Sequence, residues 1–177
     1  QQQLEQRREK MAGGIQPGTT ATSVSSVLSE QKHKDLVAQA IASRGPLWKI
    51  KKSLTIEEIM GKPGEYSLLA SGDSQRWEAD GGFVFYDDKL VGVCENKWQN
   101  ARQNACERVC KYLTFLHGSQ MFVSCEGPGF ELHRGGGSTG PLIDMLRYAG
   151  ATVLENVISE QEYLDHLNKW LDSLVVQ

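Results

Sequence analysis

The 177-residue chain carries 19 Lys and Arg against 22 Asp and Glu, a formal net charge of −3, and 40% of its residues are hydrophobic. At this length a folded chain buries roughly 70% of the surface it would expose unfolded, so a core forms without a disulfide or metal staple, and disordered and small-scaffold classes are excluded. No apolar run approaches the ~20 residues of a membrane span, and the first ten residues are polar and charged, so the expectation is a soluble, intracellular protein.

In chain order, residues 1–28 read as a flexible lead, because Gly, Ser and Thr crowd positions 13–26 around Pro17, and residues 29–177 read as one domain. Ser29 caps a helix expected over 30–43, whose stripe Leu36, Val37, Ala40 and Ile41 ends at Gly45-Pro46. A short helix over 56–60 follows, capped by Ser53 or Thr55 and stopped by the Gly-Lys-Pro-Gly run at 61–64. Residues 83–86 and 90–94, joined by Asp87-Asp88-Lys89, form a β-hairpin that runs into Glu95-Asn96-Lys97. From Ala101, Cys106, Val109, Cys110, Leu113 and Leu116 recur at helical spacing as a buried stripe. A buried strand is expected over 120–125. The glycine-rich loop 135–140 precedes a Pro141-led helix but lacks the Lys-Ser/Thr of a phosphate-binding P-loop, so nucleotide hydrolysis is not supported. Ser159 and Glu162 form a capping box ahead of a helix striped by Tyr163, Leu164, Leu167, Trp170, Leu171 and Leu174, which is core or dimer surface.

The four cysteines, Cys94, Cys106, Cys110 and Cys125, show no CxxC spacing and read as free thiols. The four histidines, at 33, 117, 133 and 166, show no pairing that suggests a catalytic triad. Charge is uneven: residues 1–111 hold 16 basic and 14 acidic groups, residues 112–177 only 3 and 8. The overall −3 argues against a nonspecific nucleic-acid coat but leaves room for a concave site lined locally with Lys and Arg.

Asp80, Glu95 and Lys97 form the chemical signal. Strand residues alternate faces, so Glu95 and Lys97 share one side, and Asp80 enters the first strand where it can approach them. Two carboxylates from separate strands hold a hard divalent cation such as Mg²⁺, leaving waters and a phosphate oxygen to complete its shell. Lys97 adds a cation where a phosphodiester would develop charge. The plain alternative is a solvated acidic turn followed by a surface lysine. At the start of the following helix, Arg102, Asn104 and Arg108 lie off the apolar stripe; Asn pairs bidentately with adenine and Arg with guanine in a major groove. There the alternative is a helix cap with Glu107 and Lys111 as an i,i+4 pair.

The order Asp80-Gly81-Gly82, Glu95-Asn96-Lys97, Asn104-Ala105-Cys106-Glu107-Arg108, Glu126-Gly127 resembles the EcoRI/MunI branch of the type II restriction endonucleases, over roughly residues 55–130. Ala79 stands where that family has proline, Gln103 where it has the first glycine of G-N-A, and the connection from Lys97 to Asn104 is shorter. The resemblance implies an α/β fold of the PD-(D/E)XK kind, a central mixed β-sheet flanked by helices. It implies catalysis by Asp80, Glu95 and Lys97, with Mg²⁺, or Mn²⁺ in its place, on Asp80, Glu95 and the backbone carbonyl of Asn96. It further implies contacts to double-stranded DNA through Gln99, Arg102, Asn104, Ala105 and Arg108, with Glu107 bracing Arg108 in part across a dimer. The expected activity is hydrolysis of a palindromic site with an AATT core, CAATTG favoured over GAATTC, leaving 5′-phosphates. A homodimer in the bacterial cytoplasm is expected, with a cognate DNA methyltransferase in the cell but not as a bound subunit. The alternatives are a repair or junction nuclease of the same core, and a noncatalytic DNA-binding module.

Overall fold

The computed structural model describes residues 29–61, 76–98, 109–127 and 139–175. These build a five-stranded mixed sheet in the order β1-β2-β3-β4-β5: β1 (Trp48–Thr55), β2 (Arg76–Tyr86), β3 (Lys89–Trp98), β4 (Met121–Glu126) and β5 (Thr152–Glu155). The first three strands pair antiparallel, and β3, β4 and β5 pair parallel. Four α-helices are described: α1 (Glu30–Ala42), α2 (Ile56–Met60), α3 (Thr139–Tyr148) and α4 (Glu160–Ser173). No helix among the described residues is long and apolar enough to cross a membrane.

Strand alternation divides the core in two. Val93, Met121, Val123 and Val153 join Phe83, Tyr112, Leu116, Ile143 and Leu146 on one face, and their sequence neighbours Cys94, Phe122 and Leu154 join α1 and α4 on the other. All six residues of β4 are buried, because helices or turns cover both of its faces and strands pair both of its edges. α1 begins where Ser29 Oγ accepts from Lys32 N at 3.1 Å, and its expected stripe is buried, joined by His33. Thr55 caps α2: Glu58 N donates to Thr55 Oγ1 at 3.1 Å, and Glu58 Oε1 accepts from Thr55 N. Ser159 caps α4, but Glu162 returns to the amide of Ile158 rather than that of Ser159. The face of α4 belongs to the core: Tyr163, Leu167, Trp170 and Leu171 are buried, and Trp170 Nε1 donates to Ser119 O at 3.0 Å.

Two strands stand where the sequence suggested no element, and one expected helix changes form. β1 is a strand that Lys49, Lys51 and Lys52 disguise: it lies at the sheet edge, where only Trp48 and Leu54 are buried and charge protects against stray pairing. β5 is four residues long, too short for its alternation to stand out. The expected stripe through Val109, Cys110, Leu113 and Leu116 holds except at Leu113, and Cys110–Thr114 is a 3₁₀ helix. The buried face runs Val109, Tyr112 and Leu116, with Cys110 and Phe115 half-buried beside it, so Tyr112 is sealed and Leu113 exposed. Cys94 and Cys125 are buried and Cys110 is half-buried; Cys106 lies outside the described residues.

Candidate active site

The hairpin turn brings the first acid to the second. Tyr86 pairs with Lys89 across Asp87 and Asp88, whose φ values of 50° and 60° match a two-residue type I′ turn and its right-handed twist. β2 then departs from regular pairing. Lys51 faces Phe83 and Ser53 faces Glu78, so a two-residue advance on β1 matches a five-residue advance on β2, and the β2–β3 ladder ends at Gly82 and Cys94. The excess chain is a bulge holding Ala79, Asp80, Gly81 and Gly82.

Two glycines make that bulge possible. Gly82 has φ +107°, and a Cβ there would stand 2.6 Å from Ile50 Cγ1. A Cβ on Gly81 would stand 2.6 Å from Cys94 Cβ and 2.8 Å from Cys94 O. The Asp-Gly-Gly sequence therefore lets β2 bend and press onto β3, which swings Asp80 toward Glu95.

The three residues converge. Lys97 Nζ donates to Asp80 Oδ2 at 2.7 Å and lies 3.3 Å from Glu95 Oε2, which also accepts from Asp80 N at 3.3 Å. Glu95 is 3% exposed, whereas the side chains of Lys97 and Asp80 are 20% and 33% exposed, so the cluster opens to solvent on the Asp80 side. Burial raises the pKa of Glu95 above the ordinary carboxylate value, against the opposing pull of Lys97 and a hydrogen bond from Tyr112. For Lys97 burial is the largest single influence and lowers the pKa, but the Glu95 charge and the Asp80 hydrogen bond together outweigh it and hold the ammonium above its usual value. Lys97 is thus a fixed cation in this arrangement, not a proton acceptor.

Tyr112, which the expected stripe left out, completes the cluster. Its hydroxyl donates to Glu95 Oε1 and stands 3.0 Å from Glu78 O. Burial and the neighbouring Glu95 charge raise its pKa, so it remains a neutral donor.

Asn96, whose backbone carbonyl is the expected third metal ligand, lies between Glu95 and Lys97, and its side chain turns to the opposite face. There Asn96 Oδ1 accepts from Ser124 Oγ at 3.1 Å and from Tyr163 Oη at 3.2 Å. Ser124 Oγ is also 2.9 Å from His33 Nδ1, the His33 ring stacks on Tyr163 with centroids 4.6 Å apart, and His33 Nε2 stands 3.7 Å from Glu126 Oε1. His33 thus contacts a serine with an acid nearby, although its Nε2 has no hydrogen-bond partner. The constellation is nevertheless no triad. Ser124 has one hydrogen, which goes to Asn96, so the His33 Nδ1–H donates to the serine and cannot take its proton. All three side chains are also sealed from solvent. This network clamps the end of β3 from behind.

The donor set suits a hard cation. Asp80 and Glu95 offer carboxylate oxygens already gathered around one positive charge, and Mg²⁺ is commonly held by one or two carboxylates, with water and substrate phosphate completing its shell. Among the described residues no group of three His, Cys, Asp or Glu is gathered to hold a metal ion. Gln99, Arg102, Asn104, Ala105, Glu107 and Arg108, the expected DNA contacts, lie outside the described residues, as do the lead 1–28 and most of the 135–140 loop. Trp98 ends β3 at 38% exposure.

No family model, no curated protein and no solved structure matches the chain.

Proposed function

We infer that the protein is a Mg²⁺-dependent DNA endonuclease of the PD-(D/E)XK kind, and that it acts as a type II restriction enzyme similar to the EcoRI/MunI branch. The observation that carries this reading is the meeting of Asp80, Glu95 and Lys97 at the bulged end of the β2–β3 hairpin, with Lys97 Nζ within 3.3 Å of both carboxylates. The mixed order, antiparallel through β3 and parallel beyond it, supports it as well.

Asp80 and Glu95, with the Asn96 carbonyl, would hold the ion. When bound, the ion lowers the pKa of a coordinated water and offsets phosphate charge. The protein's own part is electrostatic and geometric. Lys97 is tied to Asp80, so its ammonium is preorganised beside the place where a scissile phosphate gains charge, which is where a fixed cation lowers a barrier most. The bulge keeps Asp80 exposed enough to meet a duplex, and the buried Glu95 anchors the other side of the cluster. By resemblance, Gln99, Arg102, Asn104, Ala105 and Arg108 read a palindrome with an AATT core, and a homodimer supplies one active site per strand.

Digestion of a long duplex of known sequence, with and without Mg²⁺ and beside Lys97→Ala, tests this. Discrete Mg²⁺-dependent fragments ending at one AATT-containing palindrome, absent for the variant, are expected. Sequence-independent cutting of nicked or branched DNA would instead favour a repair nuclease of the same core. Sequence-specific binding without products would favour a noncatalytic module.

A further inference from the structure

Glu95 is held at both oxygens, and the two holds differ. Oε2 faces the Asp80 amide and the Lys97 ammonium, both at 3.3 Å, on the side that opens to solvent. Oε1 points into the core, where the Tyr112 hydroxyl donates to it. A carboxylate at the end of a three-torsion side chain would otherwise sample several orientations, and most of them would turn an oxygen away from Asp80.

The ring that carries this hydroxyl is fixed by its own packing. Tyr112 is fully buried, edge-on to Phe83 at 5.8 Å between centroids, to Phe115 at 6.1 Å and to Trp77 at 6.4 Å, with Lys111 Nζ 5.0 Å from its ring centroid. Glu78 O, on β2 just before the bulge, stands 3.0 Å from the same hydroxyl, whose single hydrogen goes to Glu95. The hydroxyl thus sits between β2 and the carboxylate of β3.

We propose that Tyr112 is a positioning residue for the divalent-cation site: its hydroxyl locks Glu95 Oε1 so that Oε2 is presented to a metal shared with Asp80. The proposal rests on the metal-dependent reading above. Hydrogen bonds to the outer side of a metal ligand orient it, and their loss commonly costs about 10- to 100-fold in metal affinity or activity.

The test is Mn²⁺ binding by the full chain without DNA, followed by the electron paramagnetic resonance signal of the free ion. Wild type, Tyr112→Phe, Asp80→Ala, Glu95→Gln and the Tyr112→Phe/Glu95→Gln double variant are compared, with thermal melts to establish that each is folded. Phe115→Leu serves as a packing control, since it loosens the same aromatic cluster without touching the carboxylate. The expected result is roughly tenfold weaker Mn²⁺ binding for Tyr112→Phe, unchanged binding for Phe115→Leu, and no further loss when Tyr112→Phe is added to Glu95→Gln. A Tyr112→Phe dissociation constant within twofold of wild type, while Asp80→Ala abolishes binding, overturns the positioning role and leaves the metal site standing. Equal losses from Tyr112→Phe and Phe115→Leu also overturn it, because packing alone would then explain the effect. Wild-type protein that binds no Mn²⁺ overturns the metal reading itself, and the positioning role with it.

Discussion

Gly82→Ala tests the bulge that delivers Asp80. Two costs are read from the structure: alanine must adopt φ +107°, and its Cβ must stand 2.6 Å from Ile50 Cγ1, 2.8 Å from Ile50 Cδ1 and 3.3 Å from Lys51 O. A left-handed conformation at a non-glycine residue costs about 1–3 kcal/mol, and overpacking a well-filled site adds about 1–3 kcal/mol. The Ile50 contact involves a flexible side chain that yields in part, so about 3 kcal/mol is expected in all. For a chain of this size that lowers the melting temperature by about 6–12 °C. Gly45 provides the internal reference: its φ is +102°, but a Cβ there would meet nothing within 4 Å. Gly45→Ala should therefore show the backbone cost alone, about 1–2 kcal/mol and roughly 2–8 °C. Scanning calorimetry of both variants, with Ile50→Ala added to each, separates the costs, because removing Ile50 should relieve Gly82→Ala and leave Gly45→Ala unchanged. If Gly82→Ala melts level with Gly45→Ala, and Ile50→Ala relieves neither, the close approach of β2 to Ile50 is not what shapes the bulge.

Other perturbations have definite signs. Burial lowers the His33 pKa from 6.5 to about 4, with Glu126 and Tyr163 as the titratable groups facing the ring. The folded state therefore resists a proton that the unfolded chain accepts: the stability is present above pH 6.5 and is lost as pH falls to about 4, by about 3 kcal/mol in all. Urea titrations across that range should show a shallower acid loss in His33→Gln, and parallel curves would remove His33 from the account. Leu171 is fully buried against α1 and the sheet, whereas Tyr148 is 96% exposed. Leu171→Ala should cost about 2–5 kcal/mol and Tyr148→Ala within about 0.5 kcal/mol, both measured by chemical denaturation. Replacing Asp87-Asp88 with Asn-Gly suits the positive φ of both residues. It should stabilise by about 0.5–1 kcal/mol in the same assay, the left-handed cost relieved at position 88 less the entropy cost of a glycine, since the Lys49–Asp88 pair it removes is solvent-exposed and worth little.

The hairpin and its acids were legible because alternation is a local rule. Once residues 83–86 and 90–94 pair, Glu95 and Lys97 must share a face, and contact of both with Asp80 follows if β2 bends toward them. The bend itself was visible only as a Gly-Gly pair, since nothing in residues 79–82 states that Ile50 and Cys94 will press on them. Tyr112 was missed for a different reason. Val109, Tyr112 and Leu116 share the buried face, whereas the apolar pattern gave the middle place to Leu113, which the 3₁₀ turn at Cys110–Thr114 leaves exposed. His33 was hidden in the stripe of α1, and its partners Ser124 and Glu126 lie more than ninety residues away on β4.

By itself the sequence determined what short-range stereochemistry determines. Ser29, Thr55 and Ser159 start their helices because a side-chain oxygen satisfies amides two or three residues on, and the apolar stripes of α1 and α4 follow from the helical repeat. Only the tertiary structure decided that Lys-rich β1 is an edge strand and that four residues suffice for β5, because both depend on a neighbour with free backbone groups to pair. It alone decided that Glu95 is gripped from the core by Tyr112 and from the solvent side by Lys97, since each grip joins residues whose proximity is set by how β2, β3 and the 3₁₀ helix pack.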